Sequence, residues 1–192
     1  MNFESKLLKR KEVLLRLSFG LVNIEIGSPL TFTDQFMELN MLYSSHGDSQ
    51  FQFFGFGERR GDMVLGQHHW SHGVWNRDLP PMVNKNLYGD QPIWIAYNPS
   101  LEKVIGNIWW NSNAKSFEII PLTSQTRLSI RSNGGIFDLF FVLDENPDQV
   151  VNTIHAILGP PTPMPAWSLG YQLCRWGYNS GNGFDLCTVG KQ

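Results

Sequence analysis

The run Trp75-Asn76-Arg77-Asp78-Leu79-Pro80-Pro81 sets a carboxylate beside an amide, a guanidinium and an indole. Those side-chain types suit a sugar. Asp78 and Asn76 can hydrogen-bond vicinal hydroxyls, and an indole face can cover the C–H surface of the ring. The same residues also suit a plainer role, in which Arg77 and Asp78 only fix a turn; residue types alone leave both readings open. The surrounding stretch, Gly55–Gly89, is dense in glycine, tryptophan, histidine and charge and has no periodicity. It is expected to be a set of loops, where binding residues concentrate.

Three histidines fall in the same stretch. His68 and His72 have the i, i+4 spacing of zinc ligands on a helix. A zinc site needs three or four ligands, though, and no Glu or Cys stands at motif spacing. The glycine and tryptophan content also opposes a helix there, so no metal and no cofactor is expected. No nucleophile elbow, P-loop or dinucleotide fingerprint is present. Asp138, in Ile136-Phe137-Asp138-Leu139, is expected on the wet face of a strand. Glu58, after Phe56-Gly57, suits either a loop ligand or a structural ion pair.

The elements that must position these residues read mainly as strands. Short β-type runs recur at Val13–Leu17, Gln50–Phe56, Pro92–Tyr97, Val104–Trp110, Ser116–Ile120, Thr126–Arg131 and Ile136–Leu143,. Alternation such as Arg127-Leu128-Ser129-Ile130 suits a sheet with one buried face. Asn111–Asn113 and Gly134-Gly135 mark turns. The expected architecture is an antiparallel β-sandwich over residues 1–159.

One helix closes that sandwich. Asn146 can cap it, Pro147 fits its first position, and Asp148 suits its positive end. Val150, Val151, Ile154, Ile157 and Leu158 form an apolar stripe, with His155 off it, and Gly159 supplies the stop. Four prolines between Pro160 and Pro165 then make a stiff linker over residues 160–166,. In the last segment, 167–192, Ser168–Cys174 reads as a strand with Leu169, Tyr171 and Leu173 on one face.

Composition bounds the rest. The chain has 192 residues, 42% of them hydrophobic, enough for a substantial core,. Net charge is −2 with 17% charged residues, which argues against nucleic acid as a partner,. A local basic excess near the start (Lys6, Lys9, Arg10, Lys11 and Arg16 against Glu4 and Glu12) suits a solvated terminus, with a membrane- or nucleic-acid-binding arm as the lesser alternative. No apolar run is long enough to span a bilayer and no signal peptide is visible, so a membrane partner is not expected. Cys174 and Cys187 could be free thiols or one bridge. No Asn-x-Ser/Thr acceptor with x other than Pro occurs,.

Several blocks, in order, resemble glycoside hydrolase family 31, the α-glucosidase family, over about Pro29 to Ser180. They are Pro29-Leu30-Thr31-Phe32-Thr33-Asp34-Gln35-Phe36, Phe54-Gly55-Phe56-Gly57-Glu58, Trp75-Asn76-Arg77-Asp78 and Asn86-Leu87-Tyr88-Gly89. They continue as Asn111-Ser112-Asn113-Ala114, Gly134-Gly135-Ile136-Phe137-Asp138 and Trp167-Ser168-Leu169-Gly170-Tyr171-Gln172-Leu173-Cys174-Arg175-Trp176-Gly177-Tyr178.

The resemblance implies a galactose-mutarotase-like N-terminal sandwich followed by the first strand of a (β/α)₈ barrel. It implies retaining hydrolysis of terminal α-linked glucose, and so an α-glucoside or malto-oligosaccharide as partner. It also implies that Asp78, on a sandwich loop, contacts the sugar, and that Trp176, at the end of the first barrel strand, lines its pocket, as barrel geometry allows. A lysosomal, secreted or cell-surface location would follow from the family. The departure is as informative. A barrel takes about 250 residues, and retaining hydrolysis needs two carboxyl groups about 5 Å apart. Residues 167–192 supply neither the nucleophile nor the acid, so the chain is expected to be a partial one, inactive alone. A non-catalytic carbohydrate-binding or protein-interaction module is the alternative.

Overall fold

In a computed structural model of the chain, residues 2–4, 13–19, 22–33, 36–45 and 50–172 are described. Their strands are β1 (Asn2–Glu4), β2 (Val13–Phe19), β3 (Val22–Thr33), β4 (Phe36–Ser45), β5 (Gln52–Arg59) and β6 (Trp70–Val74). There follow β7 (Asn86–Asn98), β8 (Lys103–Trp109), β9 (Lys115–Pro121), β10 (Gln125–Ser132) and β11 (Leu139–Asp144). Among the described residues they form two antiparallel sheets, ordered β1-β2-β3-β4-β10-β9-β6 and β11-β8-β7-β5. The β-sandwich expected from the sequence is present, and it is completed by four strands that the spacing of β-type runs did not reveal: β1, β3, β4 and β6.

The core lies between the sheets. Phe56 and Trp94 from one sheet meet Phe117 from the other, with ring centroids 4.8 Å apart for Phe56–Phe117 and 5.5 Å for Phe56–Trp94. Tyr43 of β4 meets Phe53 of β5 edge to face at 5.1 Å. Each such buried side chain contributes about 1.5–3 kcal/mol by leaving water. A polar chain also crosses the core: Trp94 Nε1 donates to Tyr43 Oη at 3.2 Å, and Tyr43 Oη–H donates to Asn107 Oδ1 at 3.2 Å. Asn107 Nδ2 in turn donates to the Ile105 carbonyl at 2.9 Å. Burial pushes the Tyr43 phenol well above its ordinary pKa, so it stays protonated and can serve as donor,.

Strand β8 is buried on both faces. Ile105, Asn107 and Trp109 face the inter-sheet core, while Val104 and Ile108 pack with Val142, Val150 and Ile154 under helix α1 (Pro147–Leu158). The helix approaches so closely that a Cβ on Gly106 would stand 2.5 Å from Val150 Cγ1. Its ends are as the sequence predicts. Asn146 Oδ1 accepts from the Asp148 amide at 2.9 Å, and Gly159 stops the helix at φ 96°,. His155 is exposed, off the buried stripe.

Three expectations need correction. The run Ile136–Leu143 becomes strand only from Leu139, because the Ile136 carbonyl is taken by side chains, Trp109 Nε1 at 3.1 Å and Asn111 Nδ2 at 3.1 Å. Asp138 is therefore on an irregular segment, exposed, with its carbonyl accepting from the Trp110 amide at 2.7 Å. The run Ser168–Cys174 begins not as a strand but as a 3₁₀ turn, Ala166–Leu169, where the Ser168 amide donates to the Pro165 carbonyl at 2.9 Å. An alternating pattern makes a strand only where a ladder partner satisfies its backbone. Of the face that alternation picked out, Leu169 and Tyr171 are 77% and 88% exposed, and Leu173 lies outside the described residues. Finally, Gly55–Gly89 is not all loop, since β5 runs to Arg59, β6 lies within it and β7 opens at Asn86.

The chain divides into two compact units, Met1–Gly159 and Pro160–Gln192. Trp176, Cys174 and Cys187 lie outside the described residues. Among those described, no helix is long and apolar enough to cross a membrane.

Candidate functional site

The Trp75–Asp78 block leaves the sandwich at the end of an edge strand. β6 pairs with β9 from Trp70↔Ile119 to Val74↔Lys115, and Val74 is fully buried. The next residue, Trp75, turns out of the sheet and is 40% exposed. Residues 75–82 carry no regular structure before the chain re-enters the fold at β7.

Both ends of this loop are tied together. Asn86, first residue of β7 and 4% exposed, donates from Nδ2 to the Trp75 carbonyl, and also to the Leu87 carbonyl at 3.3 Å. Farther along β7, the Gly89 amide donates to Glu58 Oε2 of β5 at 2.6 Å. Of the two roles open to Glu58 in the sequence, the structural one fits, although through a backbone donor rather than an ion pair. Arg77 lays its guanidinium over the Trp75 indole, 5.1 Å from the ring centroid, a cation–π contact that leaves it unpaired with Asp78. Asp78 is exposed and, among the described residues, its carboxylate enters no hydrogen bond or ion pair. The plainer reading, a turn fixed by an Arg77–Asp78 pair, does not occur.

The arrangement can therefore offer a carboxylate acceptor with free lone pairs three residues from a partly exposed indole. A carboxylate of that kind accepts from two hydroxyls at once, and charge-assisted bonds are about twice as strong as neutral ones.

The histidines serve other ends. His72 sits in β6 opposite Phe117, its ring stacked on Trp70 at 5.5 Å. Burial, reinforced by the nearby Arg59 charge, holds its pKa below the ordinary histidine value,. His69 Nε2 lies 2.9 Å from Glu118 Oε1, and His68 is exposed. The i, i+4 pair is thus split between a bend and a strand. Among the described residues no three His, Cys, Asp or Glu side chains come together as a metal site would need. Asn86 entered the sequence reading only as part of a block; nothing in its spacing announces a bond to a residue 11 positions away.

No family model matches the chain. Among curated proteins it is similar to lysosomal alpha-glucosidase of Bos taurus, 36% identical over 154 residues, covering 80% of this chain and 15% of that protein. It is also similar to intestinal sucrase-isomaltase of Homo sapiens, 32% identical over 154 residues, covering 79% of this chain and 8% of that protein. The chain thus spans less than a fifth of the length of these curated relatives. Among solved structures, the GH31 dextranase of Flavobacterium johnsoniae in complex with glucose superposes with a TM-score of 0.56 at 16% identity, over 88% of this chain and 22% of that one. The family 31 alpha-glucosidase of Bacteroides thetaiotaomicron gives 0.53 at 21% identity, over 70% of this chain and 23% of that one. These likenesses are of fold.

Proposed function

Because the chain matches the N-terminal part of glycoside hydrolase family 31 α-glucosidases, we propose that it is a carbohydrate-recognising sandwich whose Asp78 carboxylate binds hydroxyls of an α-glucoside. The activity it would serve is hydrolysis of terminal α-linked glucose in maltose-type oligosaccharides. One observation carries this reading: an exposed carboxylate, without a partner among the described residues, on a loop whose base is fastened by Asn86. Pre-organisation matters here, since a loop already held in place loses less entropy when a sugar binds. The dextranase whose fold it shares has been solved with glucose and with isomaltotriose, which supports the ligand class.

Trp176 is the second proposed sugar-binding residue, its indole suited to cover the apolar face of a pyranose. Residues 167–192 would then hold the first strand of a barrel, beyond the 3₁₀ turn at Ala166–Leu169, and a divergent tail, after a linker at 160–166. These 192 residues alone would bind without hydrolysing, because neither Asp78 nor Trp176 can supply the paired nucleophile and proton donor of a retaining glycosidase.

Calorimetric titration of maltose into the full chain, beside an assay with p-nitrophenyl α-glucoside, tests both parts. The expected result is saturable binding that Asp78→Ala weakens about tenfold, as loss of a charge-assisted hydrogen bond should, with no release of nitrophenol. Turnover that disappears when one carboxylate is replaced would refute the absence of hydrolysis.

A further inference from the structure

A second cleft lies on the sandwich itself, sharing Asn76 with the loop. A cleft of about 340 Å³ is lined by Asn76, Asp90, Trp110 and Ser112, with Ile108 and Leu158 among its apolar walls. That is at the small end of the range of about 300–1,000 Å³ for small-molecule sites. Trp110 is 52% exposed yet held: its amide donates to the Asp138 carbonyl at 2.7 Å, and its ring meets Phe140 at 5.8 Å.

Asp90 has the unusual chemistry. It forms an ion pair with Lys115 Nζ through Oδ2, and the two side chains are 4% and 0% exposed. Lys115 also lies 5.9 Å from the Trp109 ring centroid, which accounts for the open side of the ammonium,. The other carboxylate oxygen, Oδ1, is buried and has no hydrogen-bond partner among the described residues. A buried acceptor left unmet is costly, and Asp90 is one of the residues that line the cleft.

The ligand's chemistry follows by elimination. Lys115 cancels the charge of Asp90, so neither a cation nor an anion is favoured. A wholly apolar ligand would leave Oδ1 unmet. A neutral ring with several hydroxyls and an apolar face satisfies both the acceptor and the indole. We infer that this cleft is a second pyranose-binding site, separate from Asp78, in which Asp90 accepts from a sugar hydroxyl and Trp110 covers the ring. It rests on the proposed function for the class of ligand and not for its geometry.

The test uses the full chain, ¹⁵N-labelled, and the indole N–H resonances of its seven tryptophans, with those of Trp75 and Trp110 assigned through Trp75→Phe and Trp110→Phe. Maltose should shift the Trp110 resonance saturably in the unmodified chain and equally in Asp78→Ala. Asp90→Asn combined with Lys115→Met removes both charges together, so that neither is stranded, and should weaken the Trp110 response about tenfold. A Trp110 resonance unmoved by maltose while Trp75 moves overturns the second site alone. Movement of Trp110 that vanishes in Asp78→Ala also overturns it, as one site would then account for both. Movement of Trp110 without Trp75 leaves the second site standing and removes the role given to Asp78. If neither moves, both fail.

Discussion

The side-chain amide of Asn86 donates to the carbonyl of Trp75, joining the first residue of β7 to the first residue of the loop that carries Asp78. Asn86→Ala should therefore act twice. Losing a buried donor from a satisfied carbonyl should lower stability by about 1–3 kcal/mol in a denaturant titration. The freed loop should also bind maltose more weakly at Trp75 while leaving Trp110 unchanged. Equal losses at both tryptophans would mean a general fault in folding rather than loss of a tether.

Gly106 is the only side-chain-free position in the contact between β8 and α1, where an added Cβ would fall 2.5 Å from Val150 Cγ1 and 3.0 Å from Ile154 Cδ1. Gly106→Val should overpack this layer and cost about 1–3 kcal/mol. Combining it with Val150→Ala should recover part of that loss, because the two changes share one space. Strict additivity in the double variant would place the strain elsewhere.

Stability should fall on mild acidification through His72. Its pKa in the folded chain lies below the ordinary 6.5, chiefly by burial and secondly by the Arg59 charge. Between the folded value and 6.5 the unfolded chain binds a proton that the folded chain refuses, so stability is present above 6.5 and drains away as pH drops toward the folded value. Melting temperatures measured across that window should slope downward with acid, and His72→Gln should flatten the slope. An unchanged slope in the variant would assign the effect to another group.

The Asp90–Lys115 pair should show strong coupling. Lys115→Met alone strands a buried carboxylate, and breaking a buried pair costs about 3–5 kcal/mol. Burial already holds the Asp90 pKa above its usual value despite the opposing Lys115 charge, so the single variant should regain stability as pH falls and Asp90 takes a proton. The double variant Asp90→Asn with Lys115→Met should lie much closer to the unmodified chain. Two single changes that simply add would show the pair to be uncoupled.

How much of this was legible in the sequence depended on the range of the determining contact. Helix α1 was readable because its cap, its proline and its apolar stripe all lie within one stretch of chain. The Trp75–Asp78 block was readable as a mixture of side chains fit for a sugar, though not whether Arg77 would pair with Asp78 or lie over Trp75. Strand β4 was missed because Phe36–Ser45 is rich in Met, Leu and Glu, which favour helix on propensity. Pairing with β3 and β10 overrides that preference, as strand preference is largely set by neighbours. Strand β6 was hidden among histidines and glycines and exists through its ladder with β9. The Asn86–Trp75 and Asp90–Lys115 contacts join residues 11 and 25 positions apart. No periodicity reports such pairs. Alternation failed in the opposite direction at Ser168, where the pattern of a strand opens on two residues, Ser168 and Leu169, that belong to a 3₁₀ turn.

The account stands or falls on the Asp78 carboxylate. Maltose affinity read at the Trp75 indole should drop about tenfold in Asp78→Asn, which keeps the shape and removes the charge. The melting temperature should stay where it was, since Asp78 is exposed and tied to nothing among the described residues. Undiminished affinity in Asp78→Asn would contradict the account.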